Sequence, residues 1–187
     1  MSLVETIAAL SARERALIAA VRAGGPDMVD SADQLQALFD ICQVLSAHAL
    51  PHAVIGGVAV GIRSGVPCAA LDTNLAVHST ADRTHLTGVL VAAGFSLRGE
   101  YAHSINFRHV SGEPVQIVLD PGFDAMIERA EAMPAGDAHI PVVTTADLIA
   151  MKERAAGDPA RRPSKALRDR ADVALLRGDV GDPDEGW

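Results

Sequence analysis

Val54-Ile55, a β-branched pair, runs straight into Gly56-Gly57, and the stretch that follows to Arg63 is made of small and apolar residues. A strand, a tight turn and a helix therefore follow one another with no loop between them. Together with the order of elements along the chain, helices, then strands mixed with helices, then helices, that step indicates an α/β or α+β arrangement. Adjacent glycines after a strand let backbone amides approach an anion, and the helix N-terminus adds a favourable dipole. The same pair also serves as a tight turn packed on a neighbour. On the motif alone both readings stand.

The rest of the pattern is consistent with a mixed fold. Apolar residues Leu3, Ile7, Leu10, Leu17, Ile18 and Val21 predict a helix over 3–23, ended by Gly24-Gly25-Pro26. Ser31 is placed to cap a second helix whose buried face reads Leu35, Leu38, Phe39, Cys42 and Leu45, with Pro51 beyond its end. Downstream, a strand is predicted over Leu71–Val77 and a helix over Ala81–Ala93, stopped at Gly94. Three further strands are predicted over Phe95–Leu97, Ile105–Val110 and Val115–Leu119, the last two joined through Ser111-Gly112-Glu113-Pro114. A short helix is expected over Phe123–Arg129, a loop over Pro134–Pro141 and a brief strand at Val142-Val143. Thr144 or Thr145 then caps a helix through Arg154. After a polar loop at 157–163, a final helix is expected over Ser164–Leu176. The organisation expected is 1–50 helical, 51–145 an α/β core, 146–177 helical and 178–187 an acidic tail.

Composition narrows the function classes. The 187 residues are 49% hydrophobic, enough to build a core, but only 3% aromatic, so the core is aliphatic and stacking platforms for single-stranded nucleic acid are not expected. A net charge of −8 argues against a broad nucleic-acid surface or an anionic-membrane binder. The charge is uneven: residues 152–177 hold eight bases against four acids, whereas 178–187 hold four acids and no base. A local anion site is therefore compatible with the overall acidity. No apolar run approaches ~18 residues, so no membrane span is expected. Met1-Ser2-Leu3-Val4-Glu5 lacks the basic start of a secretion signal. Cys42 and Cys68 make no disulfide or zinc framework, which favours a cytoplasmic setting. His48, His52, His78, His85, His103, His109 and His139 show no metal-ligand spacing.

On the strand after the glycine turn, Leu71-Asp72-Thr73-Asn74-Leu75 places Asp72 and Asn74 on one face. Gln116, Val118 and Asp120 share a face of the later strand, although Asp120 lies about 13 Å beyond Gln116 along it. In order, Ile55-Gly56-Gly57-x-Ala59, Gly65, Asp72-x-Asn74 and the Val115–Leu119 strand resemble the nucleotidyltransferase-fold superfamily, and in particular its small bacterial abortive-infection and toxin–antitoxin members. Phe123-Asp124 with Arg129-Ala130 resembles the short helix after the third acidic strand of that family. Asp147-Leu148-Ile149-Ala150-Met151-Lys152 resembles its "leads-to-lysine" helix, and Arg168-Asp169-x-x-Asp172 the acidic pair of its last helix. The likeness covers roughly residues 50–177. It implies a nucleotidyltransferase-like mixed β-sheet flanked by helices, with N-terminal helices and a C-terminal helical segment.

By the same resemblance, Asp72, Asn74 and Gln116 stand at the catalytic positions and Asp72 at the metal position. Gly56, Gly57, Ser64 and Lys152 stand where nucleotide would be held. Active members use three carboxylates there to hold two magnesium ions; this chain keeps one, as Asp72. The leading expectation is a catalytically degenerate relative that binds a nucleotide or a protein partner in the old cleft. One alternative is an active transferase using Mg²⁺ and a nucleoside triphosphate to move a nucleotidyl group to a small molecule, tRNA or protein. Another is an antitoxin-like or regulatory protein with no ligand. The first two helices are candidates for a homodimer contact. Lys152 has a plainer reading beside the functional one, as a helix lysine paired with Asp169 or Asp172, and Arg63 and Ser64 have one as the end of a helix.

Overall fold

A computed structural model of the chain describes residues 33–66, 70, 72–135 and 138–180. The helix expected over 3–23, its Gly24-Gly25-Pro26 stop, the Ser31 cap, Cys68, Leu71 and the end of the acidic tail lie outside the described residues, as does the side chain of Leu35. The elements are α1 (Asp33–Ala47), β1 (His52–Ile55), α2 (Gly56–Ser64), β2 (Thr73–Val77), α3 (Arg83–Ala92), β3 (Ser96–Glu100), β4 (Ser104–Arg108) and β5 (Pro114–Val118). A 3-10 turn at Pro121–Phe123 leads into α4 (Asp124–Glu128), followed by β6 (Glu131–Ala135), β7 (Ala138–Val142), α5 (Thr145–Gly157) and α6 (Pro163–Leu176).

The seven strands form one mixed sheet in the order β3-β4-β5-β2-β1-β7-β6. β1 is antiparallel to β2 and parallel to β7, and β2 is parallel to β5. Every residue of β1 is buried, as expected for a central strand with helices on both faces. α1 packs near β2, β7 and α3, while α2 packs on β1 and β2 and against α5 and α6. The core is aliphatic, as composition requires, with Phe95 and Phe107 the two fully buried aromatics among the described residues. Leu38, Ile41, Cys42 and Leu45 recur at helical spacing and put one stripe of α1 into it. Burial pushes the Cys42 thiol up to about 12, so it sits there as a small hydrophobe and not as a nucleophile. Among the described residues no helix is long and apolar enough to cross a membrane.

One expectation fails. Pro134–Pro141, read as loop, belongs to the β6–β7 hairpin, with Pro134 opposite His139 and Pro141 opposite Ala132. Proline lacks a ladder donor and reads as a strand breaker, but it is tolerated at a sheet edge. β6 is that edge, and β7 meets β1 only at Val54↔Val142. Arg63 holds the hairpin in place: its guanidinium donates to the carbonyls of Val142 (2.8 Å) and Val143 (2.9 Å) and to Glu131 (2.6 Å). Element ends elsewhere shift by up to three residues: β2 begins at Thr73 with Asp72 just ahead of it, β3 runs on to Glu100 and α5 to Gly157.

Among the described residues, three groups with lowered values couple the fold to acidic pH. The Ser79 hydroxyl (2.6 Å) and backbone N–H (2.8 Å) donate to Asp124 and hold its carboxyl below the usual range. Arg129 at 2.7 Å, with Thr144, does the same for Asp147. Burial lowers the His52 imidazole, partly offset by the Leu50 carbonyl. In all three cases the unfolded chain binds protons more readily than the folded one, so stability present at neutral pH is lost as pH falls. Urea midpoints are expected to decline first below about pH 6.5, from His52, and again below about pH 4, from the aspartates. His52→Asn should remove only the upper decline. A profile with a single limb near pH 4 would contradict the assignment to His52.

Candidate functional site

The site grows from the turn between β1 and α2. Gly56 has φ +71°, a left-handed conformation, and a Cβ there would come within 3.2 Å of the Asn74 side chain. At Gly57 a Cβ would lie 3.3 Å from that of Ala70. The glycines thus let the start of α2 approach β2 closely. Ile55, the residue ahead of the helix, makes no side-chain cap, and Ile55, Gly56 and Gly57 line a cleft of about 370 Å³.

Strand register supplies the cleft floor. Ile55 pairs with Asn74, Asn74 with Gln116, and Gln116 with Asn106, so one row crosses four strands on the same face. Three carboxamides stand side by side in that row. Gln116 Nε2 donates to Asn106 Oδ1 at 3.3 Å, and Asn74 Nδ2 donates to Asp72 Oδ1 at 2.9 Å. Asp72 is the single carboxylate of the floor.

The opposite wall comes from α5 and α6. Thr144 caps α5: its hydroxyl accepts from the Asp147 N–H and donates to the Asp147 carboxylate. One turn on, α5 carries Lys152 into the wall, where Nζ lies 3.1 Å from Asp169 and 2.6 Å from Asp172. Arg161, on the loop before α6, takes the other oxygen of Asp169 at 2.7 Å. Lys152, Asp169 and Asp172 are buried. Lys165 and Arg168 also line the cleft from α6 and are exposed, and their side chains have no hydrogen-bond or ion-pair partner among the described residues.

Gly56, Gly57, Asp72, Asn74, Gln116 and Lys152 are therefore brought to one cleft. Lys152 lines the cleft and is also ion-paired with Asp169 and Asp172, as its plainer reading expected. Ser64 does not line it: its hydroxyl donates to the Val60 carbonyl at 2.8 Å and accepts from the Val66 N–H, finishing α2. Asp120 is turned aside as well, capping the 3-10 turn through the Gly122 N–H. Sequence reasoning did not single out Asn106, Arg161 or Lys165, and named Arg168 only within the motif it shares with Asp169 and Asp172. The basic excess over 152–177 was the available signal for the cations; Asn106 is visible only once β4 is in register with β5.

Two magnesium ions do not fit this donor set. The three floor positions supply one negative charge where a two-ion site needs several, and the amides offer neutral oxygens only. Asp169 and Asp172 already answer Lys152 and Arg161. Among the described residues no group of three or more carboxylate, histidine or cysteine ligands is placed to hold a metal.

No protein-family model and no curated protein matches the chain. Solved structures do resemble it. The lincosamide antibiotic adenylyltransferase LnuA, bound to lincomycin, is 12% identical with a TM-score of 0.57, over 78% of this chain and 97% of that one. An antigenic nucleotidyltransferase-like protein from Paracoccidioides brasiliensis is 18% identical with a TM-score of 0.56, over 81% and 80%. ANT(2'')-Ia in complex with adenylyl-2''-tobramycin is 16% identical with a TM-score of 0.52, over 79% and 90%. The likeness is one of fold: the mixed sheet and its helices form a nucleotidyltransferase-like architecture.

Proposed function

We propose that this protein is a nucleotidyltransferase-fold relative that binds a nucleotide in the cleft between Gly56-Gly57 and α6 without transferring it. The observation that carries the reading is the floor itself, where Asn74 and Gln116 stand beside Asp72 as neutral amides. A phosphate-sized anion has backbone N–H groups at the start of α2 on one side and cations on the other. Asp72 alone neither gathers two divalent ions nor neutralises a leaving pyrophosphate. The branch proposed is that of the small bacterial abortive-infection and toxin–antitoxin members, on the ordered motifs from Gly56-Gly57 to Asp172.

The second reading, adenylyl transfer to a small molecule, draws on the adenylyltransferase activity named for LnuA and on the adenylyl-2''-tobramycin bound to ANT(2'')-Ia. Incubation with α-labelled ATP, GTP, CTP and UTP, magnesium and a panel of small-molecule, tRNA and protein acceptors separates the two. Exchangeable label on the protein with none on any acceptor is expected. Covalent label on an acceptor, lost in Asp72→Ala, would establish transfer and end the first reading.

A further inference from the structure

Asn74 and Gln116 do more than remove metal ligands; they set the sign of the cleft. Its charged groups fall into two sets. Lys152, Arg161, Asp169 and Asp172 form a closed cluster in which the cations and carboxylates balance. Outside it stand Asp72 on the floor and Lys165 and Arg168 on the wall, one negative charge facing two positive ones. Lys165 and Arg168 are three residues apart on α6, at the start of the stripe that continues through Asp169 to Asp172. With carboxylates at 74 and 116 the same space would carry excess negative charge and repel a polyphosphate until divalent cations bridged the two. With amides it attracts the polyphosphate directly, and each amide also offers N–H donors.

We infer that the cleft takes the phosphates of a nucleotide without divalent metal, with Lys165 and Arg168 supplying the counter-charge that magnesium supplies elsewhere. The inference rests on the nucleotide-binding reading and adds to it where the anionic end lies and what neutralises it. Both side chains are exposed and unpartnered among the described residues, so neither has to break an existing ion pair to meet a phosphate. Magnesium lowers the charge of ATP, so a cationic cleft should hold the free nucleotide at least as tightly as the magnesium complex.

Calorimetric titration of the whole chain with ATP, once in excess EDTA and once in magnesium, tests this. Binding in EDTA at least equal to that in magnesium is expected, weakening as salt rises. Lys165→Ala and Arg168→Ala should each weaken it about tenfold, the loss of one charge-assisted contact. Both positions are exposed, so the thermal midpoints of these variants should stay at the parental value, separating lost binding from lost fold. Binding seen only with magnesium would overturn the inference while leaving nucleotide binding in place. Binding in EDTA that ignores both substitutions would overturn the assignment to α6. No binding of ATP, GTP, CTP or UTP in either buffer would remove the nucleotide reading and this inference with it.

Discussion

Replacing Lys152 with methionine is expected to destabilise the chain by about 3–5 kcal/mol, although methionine fills nearly the same volume. The lysine side chain is 11% exposed, and its partners Asp169 and Asp172 are 3% and 9% exposed. Removing the ammonium leaves two buried carboxylates one helical turn apart, with Arg161 answering Asp169 and nothing answering Asp172 among the described residues. A surface pair of the same geometry would be worth less than about 1 kcal/mol, because water screens it. The control is a second substitution. Lys152→Met with Asp172→Leu removes one cation and one anion together and leaves Asp169 paired with Arg161, so most of the lost stability should return. Urea unfolding of the single and double variants gives the comparison. A loss below about 1 kcal/mol for the single variant, or no recovery in the double, would show that the cluster is not held by charge.

The double variant Asn74→Asp with Gln116→Asp should acquire a dependence on magnesium that the parent lacks. The two positions are direct neighbours across the β2–β5 ladder, and Asn74 already contacts Asp72. Without metal, three carboxylates on one face repel, and the variant should be less stable than the parent. With metal they become the hard oxygen donor set that two amides deny the natural chain. At a magnesium concentration about a hundred times Kd, binding to the folded state adds about 2.7 kcal/mol. For a chain of this size that is a rise of roughly 5–10 °C in Tm. The parental Tm should move by less than about 1 °C over the same titration, on the same scale. Equal shifts in the two proteins would mean that the amides do not govern metal binding.

Much of this architecture could be read before any coordinates. The strand–glycine–helix step at Ile55-Gly56-Gly57 and the alternation Val115, Gln116, Ile117 obey short-range rules, and both reappear in the structure. A threonine cap at 144 or 145 was readable because such a hydroxyl and its N–H partner lie three residues apart, and the structure places it at Thr144. Features set by long-range register were not readable. The β6–β7 hairpin hides behind Pro134 and Pro141, whose local preference is against strand and whose place at the edge is a property of the whole sheet. Arg63 reads as a helix end but reaches carbonyls some eighty residues away. Asn106 is an ordinary polar strand residue until β4 sets it opposite Gln116. The cations of α6 were visible as a charge excess, but only the packing of α6 over the cleft separates Lys165 and Arg168, which line it, from Arg170, which does not.

The most direct test is a crystal structure of the chain grown with ATP and manganese, read at the manganese anomalous edge. Nucleotide density should lie between the start of α2 and Lys165 and Arg168, with no anomalous peak among Asp72, Asn74 and Gln116. A pair of peaks about 3.5–4 Å apart over those three residues would mean that the two-metal centre persists with amide ligands. That result would contradict a nucleotide-binding cleft that has lost the means to transfer.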